Sequence, residues 1–158
     1  MSQLDETDIQ GLVLRGYNLD YARYLFLEIS EHERGRTFIG RLLDLITTGE
    51  NWDNGKPQST VNIAFTHKGL VRLKLPDTSL LSFPVEFLQG MKARREILYD
   101  KGKNSPEHWD EFWRGERVHV WLAVNAQSPE ILNAQCAHLQ DLMTQTRGAH
   151  VVGSQDAA

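Results

Sequence analysis

Apolar and polar positions alternate with period two in three stretches of the chain. From Ala22 to Ile29, Tyr24, Phe26 and Glu28 fall on one side and Leu25, Leu27 and Ile29 on the other, so a strand here meets apolar surroundings on both faces. Ser30 followed by Glu33 reads as a capping box opening a helix. Within that helix, Phe38, Leu42 and Leu45 run beside Ile39, Leu43 and Ile46 as a broad apolar stripe, and Gly49 is the expected stop. A surface loop over residues 50–58 is marked by Asn54-Gly55 and Pro57. A second strand over 60–66 puts Val61, Ile63 and Phe65 on one face, after which Thr66 caps a short helix reaching Leu73 and ended by Pro76. Residues 79–113 read as helical or irregular, with breaks at Pro84 and Pro106. Then Val118, Val120, Leu122 and Val124 alternate with His119, Trp121 and Ala123 in the clearest strand pattern, which predicts a central strand. Ser128-Pro129-Glu130 starts a helix carrying Leu132, Cys136, Leu139 and Met143 on one face, with Gly148 as its expected end and a short strand over His150–Val152 after it.

This order predicts an α+β, ferredoxin-like βαββαβ domain. Right-handed crossovers place both long helices on one face of an antiparallel sheet, leaving the other face for a partner or a second copy. The expected boundaries are an N-terminal arm over 1–20, the ferredoxin-like domain over 21–152 with a helical insertion over 75–115, and a tail over 153–158.

The 158 residues suffice for one core. A net charge of −4, with both signs mixed along the chain, offers no basic stripe for phosphates, so nucleic acid is not an expected partner. Cys136 is the single cysteine, which predicts no intrachain disulfide and favours a reducing, cytoplasmic setting. Met1 to Asp8 has neither the basic nor the apolar region of a secretory signal, and no apolar run approaches the roughly 20 residues of a membrane span, so no membrane association is expected. The six histidines, His32, His67, His108, His119, His138 and His150, show no metal-ligand spacing, and no metal site is predicted.

Four short motifs carry a resemblance. In order they are Asp8-Ile9-Gln10-Gly11, Arg15-Gly16-Tyr17, Thr66-His67-Lys68-Gly69-Leu70, and a long segment containing Phe83-Pro84, Phe87, Gly90-Met91, Arg94 and Leu98-Tyr99-Asp100. Together they resemble the N-terminal half of the dye-decolorising (DyP-type) haem peroxidases, which typically read DIQG, RGY, TxxGL and FPxEFxxGMxxR followed by L-x-D. The resemblance covers nearly the whole chain and implies the same fold, because DyP-type peroxidases are built from two ferredoxin-like halves facing each other. Its marker residues are read as structural: Phe83, Phe87 and Met91 as a core-facing stripe, and Arg94 and Arg95 as helix caps or partners of Asp100. Trp109, Phe112 and Trp113, interleaved with acids, read as an amphipathic helix covering the insertion.

A peroxidase of this family needs a histidine on the haem iron, an aspartate to move the peroxide proton and an arginine to stabilise departing charge. In the family that aspartate lies in a G-x-x-D-G motif. This chain offers Gly153-Ser154-Gln155-Asp156-Ala157, which is read as a connecting segment, with Asp156 as a degenerate distal acid the minor alternative. The expectation is therefore an N-terminal peroxidase domain with no catalytic residue of its own. Haem belongs to the full-length family and is not expected on this chain alone; His119 is the weak candidate ligand. The expected partner is a C-terminal peroxidase half, or a second copy through the open sheet face. Two alternatives stand beside this reading: a non-catalytic association module, and a small haem-binding dimer using His119 or His150. Apolar surface left without its partner domain predicts a marginally stable or self-associating protein.

Overall fold

Each period-two stretch forms a strand. A computed structural model describes residues 4–50, 52 and 55–157, with β1 at Tyr21–Ile29, β2 at Ser59–Phe65, β3 at Val120–Ala126 and β4 at Ala149–Ala157. The helices are α1 (Gly11–Leu14), α2 (His32–Leu42), α3 (His67–Arg72), α4 (Asp77–Leu80), α5 (Val85–Ala93), α6 (Arg95–Leu98), α7 (Glu111–Arg114) and α8 (Pro129–Thr146). The sheet is antiparallel throughout, in the order β2-β3-β1-β4, so β1 and β3 are its central strands. This is the arrangement expected of βαββαβ connectivity. Met1 to Gln3 of the arm, Asn54 of the expected turn and Ala158 of the tail lie outside the described residues. Among the described residues, no helix is long and apolar enough to cross a membrane.

The core lies between the sheet and α2 with α8. Leu25, Leu27 and Ile29 of β1 meet Val120, Leu122 and Val124 of β3, and Phe38, Leu42, Leu139 and Met143 close over them from the helices. Side chains on alternate strand positions share a face, and this is why the period-two reading identified the inward residues.

Several local expectations are corrected. Helix α2 is capped by Glu31, not Ser30: its carboxylate accepts the Glu33 and Arg34 N–H groups at 3.0 and 3.3 Å. Ser30 is held by the sheet instead, its N–H donating to the Gly148 carbonyl. Gly49 does not stop the helix, which ends at Leu42 and passes into a 3-10 turn over Leu43–Leu45. Its N–H donates to Ile9 at 2.8 Å, and a Cβ there would lie 2.3 Å from Leu14. At the end of α8 the left-handed residue is Arg147 (φ 52°). Gly148 serves close packing, since a Cβ would sit 2.2 Å from the Arg34 carbonyl oxygen. Finally, β4 is no short strand with a tail. It pairs with β1 as far as Ala22 opposite Ala157, a polar run that joins the sheet through its backbone and shows no apolar alternation.

Candidate functional site

The sheet face opposite α2 and α8 carries Tyr24, Phe26 and Glu28 of β1 beside Trp121 and Ala123 of β3. It is only partly open. Phe112 of α7 stacks on Phe26 with ring centroids 5.1 Å apart, and Trp113 meets the same ring edge-on at 4.9 Å. Gly153 of β4 makes room for this cover, because a Cβ would lie 2.6 Å from the Phe112 ring. Both long helices thus lie on one face as expected, and it is the other face, expected to be left open, that helix α7 of the insertion partly covers. Beyond the cover, Tyr24 and Trp121 pack together at 5.5 Å, both half-buried.

His119, the candidate ligand, lies immediately before the first residue of β3. Its Nδ1 accepts the Ile29 N–H at 3.0 Å. The proton of the neutral ring therefore sits on Nε2, and the lone pair is already engaged. Burial holds the imidazole below the usual histidine range; Glu28 opposes this, while Arg72, Lys68 and His150 add to it. His150, the second candidate, is exposed, with Nε2 3.4 Å from Glu28 and Nδ1 3.4 Å from the Ser30 hydroxyl. Glu28 is itself gripped by Arg117 at 2.7 and 2.8 Å.

Asp156, the alternative distal acid, lies on β4 in register with Arg23 of β1. Its two oxygens accept a fork from Arg23 at 2.6 and 2.8 Å, and the arginine hydrogen bond holds its carboxyl below the usual carboxylate range. Arg23 also donates to Asn133 of α8. This pair was not legible in the sequence, since only the β1–β4 register sets Arg23 opposite Asp156. A cleft of about 560 Å³ beside it is lined by Leu25, Cys136, Gln140 and Ser154 among others; burial pushes the Cys136 thiol up.

The motif residues fall into three places. In the arm, the Gln10 side chain reaches the β2 backbone and Gly11 fits against the Thr48 carbonyl, where a Cβ would approach to 2.6 Å. Arg15 bonds Glu6 and the Gly49 carbonyl and lies 5.1 Å over the Trp52 ring, beside buried Tyr17. Asp8 and Gly16 are exposed, and no contact of theirs explains the motif.

At the start of α3, Thr66 accepts the Gly69 N–H and donates to the Val118 carbonyl. Gly69 sits so close to β3 that a Cβ would lie 2.0 Å from the His119 oxygen.

The third place is the insertion, where the core-facing stripe is corrected. Helix α5, preceded by Pro84 at its N-cap, buries none of its residues, and Met91 is 63% exposed. Gly90, with a φ of 68°, interrupts the helix and takes Met91 out of line with Phe83 and Phe87. Those two rings pack on each other at 4.9 Å, and Phe87 meets His67 at 6.0 Å. Arg94 caps α5 through its backbone N–H to Met91. Arg95 pairs with Glu107 and Glu96, not with the Asp100 side chain, while the Asp100 N–H donates to the Arg95 carbonyl.

The two histidines considered as haem ligands are both engaged by neighbours: His119 by the Ile29 N–H, His150 by Glu28 and Ser30. Among the described residues, no cluster of three or more His, Cys, Asp or Glu could hold a metal ion.

Comparison with known proteins gives this arrangement a place. A family model for the DyP dimeric alpha+beta barrel domain matches residues 8–154. The chain belongs to the DyP family. This DyP domain is 27% identical over 146 residues to a dye-decolorizing peroxidase of Mycena epipterygia, covering 89% of the chain and 26% of that protein. Among solved structures, it resembles a dye-decolorizing peroxidase in complex with 2,6-dimethoxyphenol at 18% identity and a TM-score of 0.81, covering 99% of the chain and 34% of that structure. It resembles another, with an engineered heme pocket, at 17% identity and a TM-score of 0.77, covering 98% and 34%. At these identities the structural likeness shows the fold. The DyP domain thus spans about a quarter to a third of the length of its relatives.

Proposed function

We propose that this chain serves as the N-terminal domain of a DyP-type haem peroxidase. Its contribution is scaffold: one half of the barrel, with the iron ligand, the distal acid and the charge-stabilising arginine supplied by sequence outside these residues. The observation that carries this reading is the family match over residues 8–154, set against a span of only 26–34% of the relatives. The engaged Nδ1 of His119 and the forked Asp156 support it, because neither group is presented for peroxide chemistry. In the whole protein the reaction is haem-dependent oxidation of organic substrates by hydrogen peroxide, phenols among them, as the 2,6-dimethoxyphenol complex of a relative suggests. The remaining open sheet face around Tyr24 and Trp121 is the surface offered to the second half, or to a second copy. The cytoplasm is the proposed setting, on the single, half-buried Cys136.

Titrating hemin into the purified chain tests the reading. The expected spectrum is that of free hemin, and peroxide-driven dye bleaching should not exceed the rate of hemin alone. A sharpened Soret band that disappears in His119→Ala or His150→Ala would overturn the scaffold reading in favour of a small haem-binding dimer. Light scattering over a concentration series addresses the association module: the family description is of a dimeric domain, and growth of mass with concentration is the outcome that favours it.

A further inference from the structure

The junction between β1 and α2 is held from several sides at once. At Ile29 the N–H donates to His119 Nδ1 at 3.0 Å and the carbonyl accepts from Arg72 Nε at 3.3 Å. At Ser30 the N–H donates to the Gly148 carbonyl at 3.0 Å, the carbonyl accepts from Arg72 Nη2, and the hydroxyl lies 3.4 Å from His150 Nδ1. Every backbone polar group of these two residues has a partner, and one partner is a ring nitrogen that can itself take a proton. His119 also ties the junction to α3. Its own N–H donates to the Leu27 carbonyl at 2.8 Å, and its carbonyl accepts the N–H of Thr66, the N-cap of α3, at 3.1 Å.

An imidazole nitrogen accepts a hydrogen bond only while it is unprotonated. A proton on Nδ1 would set a donor against the Ile29 N–H, and a buried N–H without an acceptor is costly. The added charge finds little relief. Around the ring stand Lys68 and Arg72 of α3, His150 of β4 and Glu28 of β1. Glu28, the one acid among them, is already held by Arg117 at 2.7 and 2.8 Å, and Lys68 is paired with Glu116 at 2.6 Å. Burial further disfavours the charged ring.

We propose that His119 is an acid-operated pin: once its ring takes up a proton, the Ile29 N–H loses its acceptor and the β1–α2 junction opens while the centre of the sheet stays paired. The opening is local because the middle of β1 is joined to β3 by strand pairing, Leu25 opposite Leu122, which involves no titrating side chain. This device does not rest on the peroxidase reading.

Magnetic resonance of the full chain, with amide exchange corrected for its intrinsic pH dependence, tests the pin. Protection of the Ile29 amide should fall about tenfold per pH unit below ~6.5, and its shift should follow the His119 ring through the ring's titration. Leu122 should remain protected at the pH where Ile29 has lost its protection. In His119→Asn, whose side-chain oxygen accepts without titrating, Ile29 protection should stay flat. If that variant fails to fold, the wild-type ring and amide titrations decide alone. His150→Ala, which removes the neighbouring imidazole, should preserve the response. Ile29 protection that is flat in the wild type, that falls equally in His119→Asn, or that is lost only together with Leu122 would overturn the proposal. So would a response abolished in His150→Ala.

Discussion

The Ile29 N–H donates to His119 Nδ1 at 3.0 Å, and this bond requires a neutral ring. Burial lowers the histidine's affinity for a proton relative to the unfolded chain, where it titrates near ~6.5. A histidine with a depressed folded value contributes fully above the unfolded value. That contribution declines as pH falls from there towards the folded one, because the unfolded chain then binds more protons. Urea unfolding between pH 8 and pH 5 should therefore show stability falling on the acid side. His119→Phe should lose about 1–3 kcal/mol at pH 8 through the orphaned Ile29 N–H, and should show a shallower acid limb. Parallel pH profiles for wild type and variant would refute the assignment.

Two glycines should respond in opposite directions to the same change. Gly69→Ala drives a Cβ to 2.0 Å from the His119 carbonyl, a backbone atom that cannot turn aside, and is expected to cost about 3 kcal/mol or more. Gly40 lies in α2 with nothing within 4 Å of its Cβ position. Gly40→Ala should stabilise by about 0.5–1 kcal/mol through helix propensity. Thermal unfolding of both variants checks the contrast, and a tolerated Gly69→Ala would contradict the close approach of α3 to β3.

Exposed apolar residues of the insertion should govern association and not folding. Ile97 is 74% exposed whereas Leu122 is fully buried. Ile97→Lys should leave folding stability within about 0.5 kcal/mol and reduce concentration-dependent light scattering. Leu122→Ala should cost about 2–5 kcal/mol with little direct effect on scattering below the unfolding transition. A large loss of stability in Ile97→Lys would show that the insertion surface is covered.

The strand patterns at 22–29, 60–66 and 118–124 and the start of α8 at Ser128-Pro129 were legible because each signal is local: period two, or a cap next to the helix that it opens. The cap of α2 was misplaced by one residue because two acceptors, Ser30 and Glu31, stand side by side, and contact with Gly148 and His150 decides between them. The stripe at Phe83, Phe87 and Met91 misled because helical spacing says which residues align, whereas Gly90 decides whether the helix continues. Gly148 was located correctly but for the wrong reason, its role lying against Arg34 in another helix.

By itself, then, the sequence determined the element order, the inward faces of the strands and the family tie, all of which are written in residues near one another along the chain. Tertiary structure alone decided that Arg23 grips Asp156, that His119 holds Ile29, that Phe112 covers Phe26 and that Gln10 closes the β2 edge. These contacts join positions 53 to 133 residues apart. Pairing register and backbone approach set such distances, and neither is encoded in any short window.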